Sequence, residues 1–266
     1  MHKREFSFKL AQGALLALAM TVTALPASAA DLLDKVKARG TLKVALEGTY
    51  PPFNYREKDG QIAGYDVDVA RLLAARLGVK VEFVSSEWAS ILAGLSAGKY
   101  DVIISQVGIN PKREQAFDFS TPYIYSMPQL IVRKDEQAVY KTLEDLKGKK
   151  LGVGQGSVYE QQAKAVPGIE VRSYAAAPDT MSDLAFGRVD AALNDSLMSA
   201  YLLKNSKLPI KAGAQVGAVE RMGIPFQKGN PQFKQALNQA LAAAAADGSL
   251  KAISLKWFGI DVSKAP

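Results

Sequence analysis

The 266-residue chain contains no cysteine and one histidine, His2, and carries a formal charge of +7. Disulfides, thiolate metal sites and cysteine nucleophiles are thereby excluded, and an imidazole is available only at the extreme N-terminus. The basic residues are scattered rather than clustered with aromatics, which argues against nucleic acid and for solubility with a mild preference for anions.

Residues 1–30 read as a secretory signal peptide. Lys3, Arg4 and Lys9 form a basic leader, 10–25 is apolar, and Ala27, Ser28, Ala29 and Ala30 supply small residues for cleavage near Ala29 or Ala30. No cysteine follows for lipid attachment, and no later apolar run has the length to span a bilayer. The expectation is a free exported protein, from which cleavage removes His2 and with it Ser-His-Asp and imidazole-zinc chemistry. Without disulfides, such a protein depends on its core.

The spacing then predicts a helix over 32–39 closed by Gly40, a strand over 41–47 and an amphipathic helix over 66–77 closed by Gly78. A β-branched strand at 79–84, a helix at 88–97 ended by Gly98 and a short buried strand at 101–105 come next. Repeated β-α-β implies parallel sheet. Asn110 and Pro111 read as N-cap and first residue of the next helix, which puts Arg113 in its first turn. A cation is disfavoured there by the helix dipole and the free N–H groups. An anion held between guanidinium and helix end would reverse that, making Arg113 a carboxylate candidate. The alternative is a surface arginine paired with Glu114 or Asp118.

A second series begins after Tyr123, with strands at 129–133, 149–153, 170–174 and 191–194 and helices at 157–165, 179–186 and 196–203. A strand near 223–226 and helices at 231–246 and 250–258 close the chain. Two sheets are expected, the break falling between Tyr123 and Gln129.

Candidate site residues fall just beyond the carboxyl ends of predicted strands: Glu47, Trp88, Ser105 with Gln106, residues 154–157, and Asp195. Ligands bind at that edge in open α/β sheets, and two such edges facing each other make a cleft. Tyr50 and Phe53 sit on a turn stiffened by Pro51 and Pro52, fit either to sandwich a ligand or to plug the sheet. Trp88 has the same two readings. Asp195 is an N-cap, a counter-ion for an ammonium group, or both. Residues 152–157 lack the third glycine of a dinucleotide loop, which argues against a nucleotide, but such a turn can still offer N–H groups to a carboxylate.

Taken together, these stretches resemble the bacterial extracellular solute-binding proteins of family 3. The resemblance covers Tyr50-Pro51-Pro52-Phe53, Gly64-Tyr65-Asp66-Val67-Asp68, Gly98-Lys99-Tyr100-Asp101, Pro111-Lys112-Arg113 and Phe117-Asp118-Phe119-Ser120-Thr121-Pro122-Tyr123. It continues through Asp145-Leu146-Lys147-Gly148-Lys149 and Gly187-Arg188-Val189-Asp190 to Lys256-Trp257-Phe258-Gly259. It implies an α/β fold of two lobes, the type II periplasmic binding protein, with two mixed or parallel sheets joined by a two-strand hinge. One lobe would comprise 31–125 and 222–266, the other 126–221. By the same resemblance Arg113 holds a ligand α-carboxylate, Asp195 the α-ammonium, and Tyr50 and Trp88 enclose the side chain. Ser157 with Val158 contributes from the second lobe, Gln106 and Gly108 occupy contact positions, and Glu47 and Phe53 are the weaker transfers. Many members have Thr or Ser where this chain has Gly108, so a hydroxyl contact is missing.

The stretch from Leu46 to Phe53, the Gln106-Val107 pair and the ending from Lys256 to Val262 look most like the cystine-binding subgroup, and a chain without thiols avoids exchange with a disulfide ligand. The resemblance implies a monomeric periplasmic receptor that delivers a polar L-amino acid to an ABC transporter permease, with no cofactor, no metal and no catalysis. The rivals are an enzyme like cyclohexadienyl dehydratase on the same fold, with Glu47 or Asp195 as general acid, and a ligand-sensing subunit.

Overall fold

The computed structural model describes residues 30–265; the expected signal peptide at 1–30 and its cleavage site at Ala29 lie outside them, apart from Ala30. Along the chain run α1 (Leu32–Arg39), β1 (Thr41–Leu46), β2 (Thr49–Tyr50), β3 (Asn54–Arg56), β4 (Ile62–Ala63), α2 (Tyr65–Arg76), β5 (Lys80–Ser85), α3 (Trp88–Ser96), β6 (Val102–Ile103), α4 (Pro111–Ala116) and β7 (Phe117–Phe119). Then come β8 (Ile124–Ser126), β9 (Pro128–Arg133), β10 (Lys150–Gly154), α5 (Val158–Lys164), β11 (Glu170–Tyr174), α6 (Ala177–Ala185), β12 (Ala191–Asp195), α7 (Ser196–Asn205) and β13 (Ile210–Gln215). The chain closes with β14 (Glu220–Met222), β15 (Pro225–Gln227), α8 (Pro231–Ala246) and α9 (Ser249–Phe258).

Two five-stranded sheets result, ordered β5-β1-β6-β15-β7 and β11-β10-β12-β9-β13. Both are mixed sheets, within the expected mixed or parallel form. In each, three neighbouring strands pair in parallel, as the β-α-β repeats dictate, and a single strand, β15 in the first sheet and β9 in the second, runs against the other four, pairing antiparallel on both of its sides. The strand predicted near 223–226 is β15, and β14, just before it, is not among the predicted strands. β14 pairs with β8 as a two-stranded ribbon, Glu220 opposite Ser126 and Met222 opposite Ile124, where the chain crosses between the sheets. β15 inserts between β6 and β7. β13 escapes the sequence pattern because Gly213 looks like a breaker; a Cβ there would lie 3.1 Å from the backbone oxygen of Leu130, and the register slips between Ala212 and Gln215.

Local chemistry sets the helix ends. Asp31 caps α1 by accepting from Leu33 N at 2.9 Å and also receives Gln232 N and Phe233 N at 3.0 Å, fastening α1 to the start of α8. Gly64, at φ 132°, is required: a Cβ would sit 2.1 Å from the Phe53 carbonyl oxygen. That approach lets Tyr65 N and Asp66 N donate to Pro52 O and Phe53 O, at 3.0 and 2.8 Å, which seats the first turn of α2 beneath the Tyr50 turn. Leu42, Val44, Leu73, Phe226 and Phe233 are central to the first sheet's core, and Leu130, Leu151, Val153 and Leu193 to the second's. Among the described residues no helix is long and apolar enough to cross a membrane.

Candidate functional site

The cleft lies between the carboxyl ends of the two parallel triplets and has a volume of about 530 Å³ including its mouth. Its first-lobe wall is fixed by Asp66, which is fully buried. One carboxylate oxygen accepts the Asn54 amide at 2.8 Å; the other accepts both the Gln106 amide and the Tyr123 hydroxyl at 2.8 Å. Asn54 in turn donates to Ser105 Oγ at 3.2 Å and accepts Gly48 N at 2.8 Å, while Glu47 N donates to Ser105 Oγ at 3.3 Å. Burial pushes the Asp66 carboxyl up to about 6 against the pull of its three donors. Gln106 is held at φ 53°, a left-handed conformation uncommon for a non-glycine residue, and its Oε1 is buried without a partner.

Arg113 is 5% exposed. The predicted cap exists, Asn110 Oδ1 accepting Arg113 N at 2.9 Å with Pro111 as first helical residue. Instead of turning out to Glu114 or Asp118, the guanidinium lies over the Trp88 ring at 5.7 Å and donates from Nη1 to Gly108 O at 2.7 Å and from Nη2 to Gly156 O at 2.9 Å. None of the ion pairs among the described residues includes it. Burial pulls its pKa down to about 10, opposed by the more distant charge of Glu220 on the crossing ribbon. A buried cation whose only acceptors are carbonyls is short of negative charge. Glu47 is the converse: partly buried in the cleft wall, with Thr49 Oγ1 donating to it at 3.1 Å, its carboxyl is pushed by burial to about 7.

The second lobe contributes mostly backbone and small side chains. Ser157 caps α5, its Oγ accepting Glu160 N at 3.1 Å, while Glu160 accepts Gly156 N at 2.6 Å and locks the glycine turn. The N-terminus of α6, without a side-chain cap, brings Ala175, Ala176 and Ala177 to the cleft. Three side-chain hydrogen bonds reach across the cleft among the described residues: Tyr50 OH donates to Asn194 Oδ1 at 2.6 Å, Arg113 to Gly156 as above, and Asn110 Nδ2 to Gln161 Oε1 at 3.4 Å.

The structure thus gathers Glu47, Tyr50, Trp88, Gln106, Gly108, Arg113, Ser157 and Val158 around one cleft. Two expected residues stand outside the lining. Phe53 is fully buried, stacked under Tyr50 at 5.3 Å and against Phe258, so it supports the Tyr50 turn as a plug. Asp195 is fully buried as the cap of α7, Oδ1 accepting Leu197 N at 2.7 Å and Met198 N at 3.1 Å. Its other oxygen faces the Tyr159 hydroxyl at 3.4 Å, and burial raises its carboxyl. Asn194 and Tyr159 line the cleft where Asp195 was expected. Sequence reasoning missed both, together with Met222 and the Ala175–177 corner; for Tyr159 the signal was the Ser157-x-x-Glu160 capping box, which fixes the start of its helix. Among the described residues no group of three or more His, Cys, Asp or Glu is placed to hold a metal.

Residues 42–260 match the family model of bacterial extracellular solute-binding proteins, family 3. The L-cystine-binding protein TcyJ of Escherichia coli (strain K12) is 43% identical over 234 residues, 88% of each chain. The L-cystine-binding protein TcyA of Bacillus subtilis (strain 168) is 37% identical over 236 residues, 88% of this chain and 87% of that one. An ancestral arginine-binding protein bound to arginine superposes with a TM-score of 0.79 at 38% identity, covering 83% of this chain and 99% of that one. The ancestral amino acid-binding protein AncCDT-1, a precursor of cyclohexadienyl dehydratase, gives 0.79 at 35% identity, with 85% and 99% covered. The two-lobed α/β architecture is that of the type II periplasmic amino acid-binding proteins, and the chain belongs to the bacterial extracellular solute-binding proteins, family 3.

Proposed function

We propose that the protein is a periplasmic receptor that captures a polar L-amino acid, L-cystine before others, in the interlobe cleft and delivers it to an ABC transporter permease. The lobes are assigned to 31–125 with 222–266, and to 126–221, with the β8–β14 ribbon as hinge. The observation that carries this reading is Arg113, a buried guanidinium at the cleft that lacks an anionic partner among the described residues. A ligand α-carboxylate supplies that charge through charge-assisted hydrogen bonds in a site screened from water. The α-ammonium is directed at the Tyr159 hydroxyl oxygen, through which the charge of Asp195 acts at one remove. Gln106 Oε1, buried and unpartnered, accepts a further N–H, and Tyr50 and Trp88 enclose the side chain.

The names of TcyJ and TcyA support cystine. A thermal-shift screen across the amino acids and L-cystine tests it: ligand at about a hundred times its dissociation constant adds roughly 2.7 kcal/mol, and a cystine response equal to the background would overturn the ligand assignment. One observation favours a second reading, a dehydratase, since Glu47 at about 7 is suited to general-acid work at neutral pH. Aromatic product from prephenate or arogenate would establish that reading; its absence, with cystine bound, supports the receptor.

A further inference from the structure

Gly108 is a glycine for want of space, not for its backbone. Its φ lies outside the left-handed region, so the conformation itself would accept a side chain. What forbids one is a neighbour: a Cβ built on Gly108 would lie 2.8 Å from Cγ1 of Val158, 3.5 Å from Arg113 Nη1 and 3.6 Å from Met222 Sδ. Carbon atoms in good contact sit about 3.5–4.0 Å apart, so the Val158 methyl occupies the volume that a residue 108 side chain would need. The obstructing atom comes from the other lobe. Other crowded glycines, such as Gly94 under the Tyr100 ring and Gly152 under Thr180, are filled from their own lobe.

Val158 cannot step aside cheaply. It is the first residue of α5, buried, β-branched and therefore restricted at χ1, and its helix start is pinned by Ser157 Oγ accepting Glu160 N and by the Glu160 carboxylate accepting Gly156 N. On the other side, Gly108 is held by its bridge to Met222 and, through its neighbour, by Gly223 N donating to Val107 O at 3.0 Å. Both partners are thus fixed to their own lobes, and their separation reads the distance between the lobes directly. Beside them the Gly108 carbonyl takes Arg113 Nη1, the guanidinium lies over the Trp88 ring, and Met222 Sδ borders Gly108.

Resting on the receptor reading, we propose that Gly108 and Val158 are a size-matched pair across the cleft: Val158 supplies from the second lobe the side chain absent at 108, and this fit sets how far the lobes close over Arg113. Closure then seals the arginine with a methyl group instead of a hydroxyl, which leaves anion recognition to the guanidinium and nearby backbone N–H groups.

The test is calorimetric titration with L-cystine and with each amino acid that shifts the wild-type melting temperature. Gly108→Thr should weaken the tightest of these by about tenfold or more, as overpacking of a closed contact does, with an unchanged circular-dichroism spectrum. Val158→Ala should cost less, and Gly108→Thr combined with Val158→Ala should recover affinity relative to Gly108→Thr alone. Small-angle scattering with saturating ligand should show Gly108→Thr less compact than wild type and the double variant restored. Wild-type affinity in Gly108→Thr, or no recovery in the double variant, overturns the size match alone; a wild-type protein that binds none of the probes overturns the receptor reading itself.

Discussion

The two walls of the cleft are built on different principles. The first-lobe wall is a network of side chains, Asp66 drawing Asn54, Gln106 and Tyr123 onto one carboxylate, with Ser105 and Glu47 attached to its edge. The second-lobe wall offers a glycine turn, the starts of α5 and α6 with the Val158 methyl, one amide, Asn194, and a single large side chain, Tyr159. A buried network joined at this many points, with only Gln106 Oε1 left open, keeps its shape whether or not a ligand is present. Small residues and backbone leave little to rearrange when that wall arrives. The difference teaches a division of labour: the first lobe carries the fixed charge at the cleft surface, and the second closes mostly by shape, with its own charge, Asp195, set back behind Tyr159.

The largest expected effect tests the charged side of that division. Truncating one partner of a buried, hydrogen-bonded charge pair costs about 2–5 kcal/mol, so Arg113→Ala should weaken ligand binding roughly 30- to 5,000-fold. The variant should not lose stability in the ligand-free state, because removing a buried cation without an ionic partner relieves a desolvation cost. Calorimetry and thermal melting of the same sample check both halves; unaltered affinity would remove Arg113 from the site.

Asp66→Asn comes next and should act on fold and affinity together. The asparagine amide would point a donor at donors, either Asn54 or the Gln106–Tyr123 pair, leaving buried groups unsatisfied at about 1–3 kcal/mol each. A loss of about 2 kcal/mol lowers the melting temperature by roughly 4–8 °C at this chain length. Binding should weaken as well, since Gln106 then loses the contact that holds it at φ 53°. A variant that melts lower yet binds as before would show that the first wall does not depend on its network.

These two residues also mark what could be read from sequence. Arg113 was legible because its position follows from local chemistry, the Asn110 cap and Pro111, within three residues. Most helices and the break between sheets were legible for the same reason, through caps, glycine stops and periodicity. The role of Asp66 was not, because its partners stand 12, 40 and 57 residues away and only the fold brings them together. The exchange of Asp195 for Asn194 in the lining is a one-residue matter: successive side chains on a strand point to opposite faces, and sequence did not fix which face of β12 meets the cleft. Phe53, the weaker candidate beside Tyr50, is turned inward where the chain meets Gly64, and Tyr50 is left at the cleft.

Glu47 makes the first wall sensitive to pH. Its carboxyl ionises near 7 in the folded protein, pushed up by burial, against 4.5 for the ordinary group. Between these values the native state holds a proton that the unfolded state has released, so this group's contribution to stability falls as pH rises through that window and is flat above it. Asp66, at about 6 against 3.8, acts with the same sign. Glu47→Gln should therefore raise the melting temperature at pH 8 and change it little at pH 5. Equal shifts at the two pH values would mean that Glu47 is already ionised in the native state at pH 5. Calorimetry in buffers of different ionisation enthalpy should also detect proton release near pH 6.5 when a ligand places an ammonium group beside Glu47.

The smallest effect probes the link between the walls. Tyr50 OH donates to Asn194 Oδ1 across the cleft at 2.6 Å, and the same oxygen also receives Asp195 N at 2.8 Å. Tyr50→Phe thus removes one bond without orphaning its acceptor, and the ring keeps its stack on Phe53. Net loss of such a bond is about 0.5–1.5 kcal/mol, or roughly 2- to 12-fold in affinity, and it should appear as faster ligand release, because the bond exists only when the lobes meet. The melting temperature of the ligand-free protein should stay within about a degree, provided that state is open. A larger fall would mean that the lobes already hold together without ligand, in which case the second wall does part of the selecting as well as the closing.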